Sequence, residues 1–378
     1  MTDAIRVRGV EHKTSTEEIG PGSAYWQRLI LDGQISTYNT GMRALGYEPV
    51  DFLYDVAKRP ALRPSLATPE EAREYTKPRD RACKECKKKV PAPLPHVETV
   101  GEGDAARDVA CVDGRILTDP GGKLYANLRE FDETPEEFAE RLRADIAAGP
   151  DKYYQRGVVV RLEHEVRAAA KDTWLISRWI REVQLESRDD PDAWPRNNDA
   201  CFLYGNACDF WSVCSGQAAL TDETRFRRVT DAHEELATAA NANAGDGKKR
   251  LPLVTTSSMK TFRSCPRKYY YRYELGYRTL ITSDNLRFGT LFHKGLEVWW
   301  TTLDLEKAFA VMLAAEADPF ERVKAVELLR GYDARWRNEP LNVLAVEAEF
   351  VAPVVNPETG ALSKTWQLGG KLDAIVAA

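Results

Sequence analysis

GVEHKTS, residues 9–15, places Glu11 and Lys13 one residue apart in a short run that reads as a β-strand. Side chains alternate between the two faces of a strand, so Glu11 and Lys13 share one face and His12 takes the other. A carboxylate beside an ammonium can hold a divalent cation while the ammonium orients water or stabilises charge on a phosphate. By itself an E-x-K triplet is more often a surface salt-bridge pair. Its meaning therefore depends on the segments around it.

On the C-terminal side, PGSAYWQRLILDGQISTYNTGMRALG (21–46) reads as a helix and VDFLYDVAKRP (50–60) as a further strand. Gln34 and Tyr38 are four apart and share a helix face with Ile30 and Met42. Near the other end of the chain, VLAVEAEFVAPVV (343–355) and KTWQLGGKLDAIVAA (364–378) flank the turn-like NPETGAL and read as a hairpin. Asp373 interrupts an apolar strand, where a carboxylate is costly unless paired or metal-bound. Upstream, RFGTLFHKGLEVWWTTL (287–303) has Phe292, Leu296, Trp299 and Trp300 at helical spacing and carries His293 and Glu297. Further helices are expected from about residue 303 to 336. LPLVTTSSMKTFRSCPRKYYYRYELGYR (251–278) reads as a strand, a cap near Thr256 to Ser258, and a helix.

The 378 residues, 43% hydrophobic, suffice for one large domain or two ordinary ones. No run has the apolar length of a bilayer span, and MTDAIRVRG lacks a secretory pattern, so a cytoplasmic protein without a membrane partner is expected. The net charge of -5 argues weakly against nucleic acid, but residues 248–294 carry eleven Lys or Arg against Glu274 and Asp284. Aromatics interleave with these charges in CPRKYYYRYELGYR (265–278), a composition suited to phosphate contacts and base stacking, or to a solvated helix face.

The seven cysteines, with no export signal, point to metal or cluster ligation rather than disulfides. Cys201, Cys208 and Cys214 lie in CFLYGNACDFWSVC and Cys265 in SCPRKYYY. Cys83, Cys86 and Cys111 could form a small zinc site with His96 or remain free thiols.

Together these segments resemble the PD-(D/E)XK nuclease superfamily, in its RecB/AddB-like iron–sulfur exonuclease branch. Members have a helix with F-G-T-x-x-H-x-x-x-E, an Asp strand, an E-x-K strand and a helix bearing Q-x-x-x-Y. RFGTLFHKGLE, Asp373, GVEHKTS and GQISTY match these four, but the last two stand first in this chain. Joined end to start, the chain would place fifteen residues between Asp373 and Glu11, an ordinary hairpin. A circular permutation is the expectation, with each chain lending half a site to a neighbour as the rival.

The resemblance implies an α/β fold with a mixed central sheet flanked by helices, a restriction-endonuclease-like core, and a helical, cluster-bearing extension. Residues 1–75 would form the second half of the core, 76–200 a helical and charged insertion, 201–240 the cysteine trio with a helical tail, 241–250 a linker, and 251–378 the first half of the core. It implies a DNA nuclease, with an exonuclease's preference for ends or single strands. Asp373, Glu11, His293 and the main-chain carbonyl of His12 would hold Mg²⁺ or Mn²⁺. Lys13 would position water, and Gln34 and Tyr38 would orient the strand. Cys201, Cys208, Cys214 and Cys265 would ligate a [4Fe–4S] cluster, with Zn²⁺ as the alternative. A helicase or recombination partner fits the family, as do phage recombination and repair. The alternative function is a catalytically inactive nuclease fold that binds DNA.

Overall fold

The computed structural model describes residues 6–67, 81–82, 89–90, 96–100, 102–112, 115–116, 131–187, 190–203, 205–236, 251–280 and 283–377. The 241–250 linker, Met1, Ala378, Cys83 and Cys86 lie outside the described residues. The chain forms two compact units, one comprising Met1–Pro60, Ile146–Ala317 and Ala325–Ala378, the other Ala61–Asp145 and Asp318–Lys324. In the smaller unit, Glu133 accepts hydrogen bonds from Arg141 and from the Ser65 amide, and Phe138 meets Phe320 edge-on.

The larger unit contains β1 (Val7–Ser15), α1 (Ala24–Leu29), α2 (Gly33–Ala44), β2 (Pro49–Lys58), β3 (Tyr154–Val159), α3 (Glu163–Ser187), β4 (Leu253–Val254), α4 (Thr256–Ser264), α5 (Asp284–Thr302), α6 (Leu305–Ala314), β5 (Asn342–Val355) and β6 (Leu362–Ala377). Six strands make one mixed sheet in the order β5, β6, β1, β2, β3. β4 shares the β1 edge of β6, pairing in parallel with Gln367 and Leu368. β1 lies antiparallel to β6, with Val7 opposite Ala377 and Val10 opposite Ala374, and parallel to β2. This is the mixed sheet flanked by helices that the resemblance implies, and one chain supplies both sides of the β6–β1 ladder.

The local chemistry explains most elements. β5 and β6 form the expected hairpin, turned by Asn356, whose side chain accepts from Glu358, and by Gly360 at φ 72°. The N-cap of α4, Thr255, lies one residue before the expected cap: Thr255 and Ser258 exchange side-chain and backbone bonds in a capping box. α2 buries Ile35, Tyr38 and Met42, and a Cβ at Gly41 would stand 2.4 Å from the Phe350 ring. Only glycine lets the helix pack this closely on β5.

Four expectations are corrected. The single helix across residues 21–46 is two helices, because Asp32 caps α2 by accepting the Gln34 amide at 2.8 Å. Ile30 consequently sits at the end of α1, 66% exposed, and shares no ridge with Gln34. The 76–200 stretch is not helical throughout: it contains a three-stranded antiparallel sheet over His96–Ile116, and its β3 and α3 belong to the core. Within 201–236 the longest helix has four residues, Trp211–Cys214. Finally, much of the aromatic run 265–278 is taken into the core. Tyr269, Tyr270 and Tyr271 are buried; Tyr269 and Tyr270 stack on Trp194 at 5.9 and 5.2 Å, and Arg267 donates to the Trp194 carbonyl. Burying three tyrosine rings outweighs any pattern read from charge.

Because Val7 and Ala377 are ladder partners, a version with residue 378 joined to residue 1 and the chain opened within 241–250 should keep the wild-type far-ultraviolet circular dichroism and cooperative unfolding. Loss of the fold in that version would contradict the β6–β1 pairing.

Candidate active site

β1 carries Glu11 and Lys13 on one face, and β6 brings Asp373 beside them. The ladder stops at Val10 and Ala374, one pair before Glu11 would meet Asp373. Instead, the Asp373 carboxylate reaches across and Oδ2 accepts the His12 amide N–H at 2.6 Å. Glu11 is 1% exposed. Its Oε1 accepts from Lys13 Nζ and, at 3.0 Å, from Gln34 Nε2, which also lies 2.7 Å from the Tyr38 hydroxyl. Glu11 Oε2 is buried without a protein hydrogen-bond partner. α5 supplies His293, whose Nδ1 lies 3.9 Å from Asp373 Oδ1. Lys13, His293 and Asp373 line a cleft of about 440 Å³.

The electrostatics are those of an acidic pair in need of a cation. Burial pushes the Glu11 carboxyl up, Lys13 opposes this, and the neighbouring Asp373 charge adds to it. Burial likewise raises Asp373, against His12 and Lys13. For Lys13 burial works against the charged form, yet Glu11 and Asp373 outweigh it and the ammonium is held more firmly than usual. Burial, with the nearby His12 and Lys13, lowers His293 to about 4, so its imidazole is neutral at pH 7 and able to donate a lone pair. A buried and a half-buried carboxylate, a neutral imidazole and an orphaned carboxylate oxygen are a donor set that fits a hard divalent cation. Among the described residues, however, no three His, Cys, Asp or Glu side chains are already gathered to coordination distance.

Several residues at the site were not singled out in the sequence. Glu347 on β5 falls opposite Asp373, between the pairs Val346–Ala374 and Ala348–Leu372, and has φ 52°. This left-handed backbone is rare for a non-glycine residue, and the Glu347 carboxylate lines the cleft in an ion pair with Lys371. Gly289, in RFGTLFH, packs α5 against β1; a Cβ there would lie 3.0 Å from Thr14 Oγ1. On the opposite face of β1, His12 lies against Trp300 and Tyr332, with Nδ1 3.4 Å from Asp55 Oδ2. Asp55 in turn accepts from Arg156 and from the Tyr332 hydroxyl, both at 2.6 Å. Despite its complete burial, the bonds from His12 and Arg156 hold the Asp55 carboxyl well below its usual range. The signal that pointed to Asp373, an acid inside an apolar strand, was also present at Asp55 in VDFLYDVAK.

The four described members of the cysteine set converge only in part. Burial raises both Cys208 and Cys214, and the nearby Cys265 adds to each. Cys201 is tied in through its carbonyl, which accepts the Cys208 amide at 2.7 Å, while its Sγ faces the Asn197 carbonyl at 3.8 Å. Asn197 also donates to the Ser264 carbonyl, next to Cys265. Cys111 and His96 are paired residues of neighbouring strands.

Arg156 and Asp55 have side chains only 7% and 4% exposed. Removing one partner strands a buried charge, so Arg156→Met should lower unfolding free energy by about 3–5 kcal/mol in denaturant titrations. A change below about 1 kcal/mol would mean the pair is not buried as described.

No curated protein and no solved structure matches the chain. Residues 254–378 match the family model of the PD-(D/E)XK nuclease superfamily, a span that holds His293, Glu347, Lys371 and Asp373 and leaves Glu11, Lys13, Gln34 and Tyr38 outside it.

Proposed function

We propose that this protein is a divalent-metal-dependent deoxyribonuclease that hydrolyses phosphodiester bonds, acting as an exonuclease on ends or single strands. The observation that carries the reading is the meeting, at one cleft, of Asp373 and Glu11 from opposite ends of the sequence, together with Lys13 and His293. Asp373, Glu11, His293 and the His12 main-chain carbonyl would hold Mg²⁺ or Mn²⁺, which when bound supplies a Lewis acid for the phosphate and lowers the pKa of water.

The protein's own groups divide the remaining work. Gln34 holds Glu11 Oε1 and so fixes the carboxylate plane, leaving Oε2 without a protein partner. Tyr38 holds Gln34 from the next turn of α2. Lys13 stays protonated beside Glu11 and, one-third exposed, can orient water towards phosphorus and offset charge on a non-bridging oxygen. His12 uses its amide to set Asp373 while its ring packs against Trp300 and Tyr332.

The same reading places the protein in the RecB/AddB-like branch with its motifs circularly permuted, and assigns a [4Fe–4S] cluster to Cys201, Cys208, Cys214 and Cys265. The family model's match to the half containing Asp373, and the β6–β1 ladder within one chain, support the rotated order. The backbone bond from the Cys208 amide to the Cys201 carbonyl and the Asn197–Ser264 bond beside Cys265 tie these segments together and support a shared ligand set.

Cleavage of single-stranded DNA should require Mg²⁺ or Mn²⁺, stop with chelator, and fall at least a hundredfold in Asp373→Ala, Glu11→Ala and Lys13→Ala, about 2.7 kcal/mol or more. Wild-type cleavage rates in Lys13→Ala would remove its assigned role, and DNA binding without metal-dependent cleavage would leave a binding protein. Protein purified without oxygen should be brown and lose that colour when any one of the four cysteines becomes serine. Stoichiometric zinc without iron would assign the site to zinc.

A further inference from the structure

Past Thr14 the cleft continues into a second cavity of about 250 Å³, walled by residues 14–17 of the β1 end, Tyr25, Arg59, Asn285 and Phe288, with its one carboxylate, Glu17, bonded to Arg28. Thr14 and Asn285 line both cavities, so the two are consecutive along one path. Thr14 directly follows Lys13 on β1, and Gly289 of α5 packs against it, which makes the junction narrow.

Resting on the nuclease reading above, we propose that this second cavity receives the base of the nucleotide next to the scissile phosphate, turned out of its stack. Its volume lies below the 300–1,000 Å³ usual for drug-sized ligands and suits one heterocycle with its sugar. Its walls have the chemistry that recognises a base. The Arg59 guanidinium lies 5.3 Å from the centroid of the buried Phe288 ring and donates to Asn285 Oδ1, so a flat cation is held in place. Its backbone is fixed as well, since the Arg59 amide donates to the Ser15 carbonyl at 2.8 Å.

Tyr25 stands edge-on to Trp26, which is itself fixed edge-on to Tyr54 and by a bond to the Ile19 carbonyl at 2.7 Å, so the Tyr25 ring has a firm backing. A guanidinium plane and an aromatic ring accept any base by stacking. The Thr14 and Ser15 hydroxyls and the Asn285 amide add donors and acceptors for its edge. The buried tyrosines of residues 269–271 have no comparable role, because their rings are taken up by the core.

The test uses single-stranded DNA with one abasic residue placed at successive positions. Wild-type kcat/KM should fall about ten- to a hundredfold when the gap lies beside the scissile bond, and that sensitivity should shrink to near unity in Arg59→Gln and Tyr25→Ala. Tyr25→Phe keeps the ring and should keep the sensitivity, which separates stacking from loss of fold.

A second arm needs no cleavage: with chelator present, an oligonucleotide carrying 2-aminopurine should be quenched on binding wild type and Tyr25→Phe, and not on binding Tyr25→Ala. Quenching in a protein that never cuts would uphold the base pocket and overturn the nuclease reading. Equal cutting of intact and abasic strands, with no quenching, would overturn the pocket and leave the nuclease reading standing.

Discussion

The site depends on one unfinished ladder. β6 and β1 pair from Val7–Ala377 to Val10–Ala374 and then part, while further along the same edge β6 is taken up by β4. Had the ladder run one pair further, Glu11 and Asp373 would stand directly opposite, and like charges in that position destabilise a sheet. The gap lets Asp373 replace a backbone acceptor for the His12 amide. Removing the β6–β1 pairing would leave each strand with half of a charge cluster and no reason to bury it.

The two faces of β1 then carry opposite kinds of polar network. On the cleft side the charges are deliberately incomplete: Glu11 Oε2 has no protein partner, burial raises both carboxyls, and Glu347 adds a further acid against Lys371. On the other side Asp55 accepts from Arg156 and Tyr332, with His12 Nδ1 3.4 Å away. Such a network is costly to break and therefore rigid, which suits its position directly behind the strand that holds Glu11 and Lys13. Behind Glu11 and Lys13 the polar groups are paired, whereas Glu11 Oε2 keeps a lone pair free of protein partners.

Aromatic residues are divided along similar lines. The rings of Trp194, Phe262, Tyr269 and Tyr270 form a packed set next to the cysteine region, joined by Arg267 to the Trp194 carbonyl. Arg267 and Arg278 spend their donors on main-chain carbonyls of neighbouring loops, so part of the local positive charge stitches the fold together. Within the basic run 248–294 the work is divided: Arg267 and Arg278 serve the fold, while Lys294 on α5 lines the cleft.

The sequence by itself determined what depends on neighbours along the chain. Alternation put Glu11 and Lys13 on one strand face, helical spacing put Gln34 under Tyr38, and the Asn356–Gly360 turn fixed the β5–β6 hairpin. A lone acid in an apolar strand marked Asp373. The interruption at Asp32 was also local and was overridden in the reading by the apolar residues that continue through it.

What only the tertiary structure decided are relations between distant segments. Asp55 finds Arg156 across β3, Glu347 faces Asp373 through a left-handed kink, Gly289 meets Thr14, and Tyr269 to Tyr271 turn inward onto Trp194. No spacing rule reaches these pairs, because each depends on which buried surface the chain closes against, and that is set by packing the whole sheet at once.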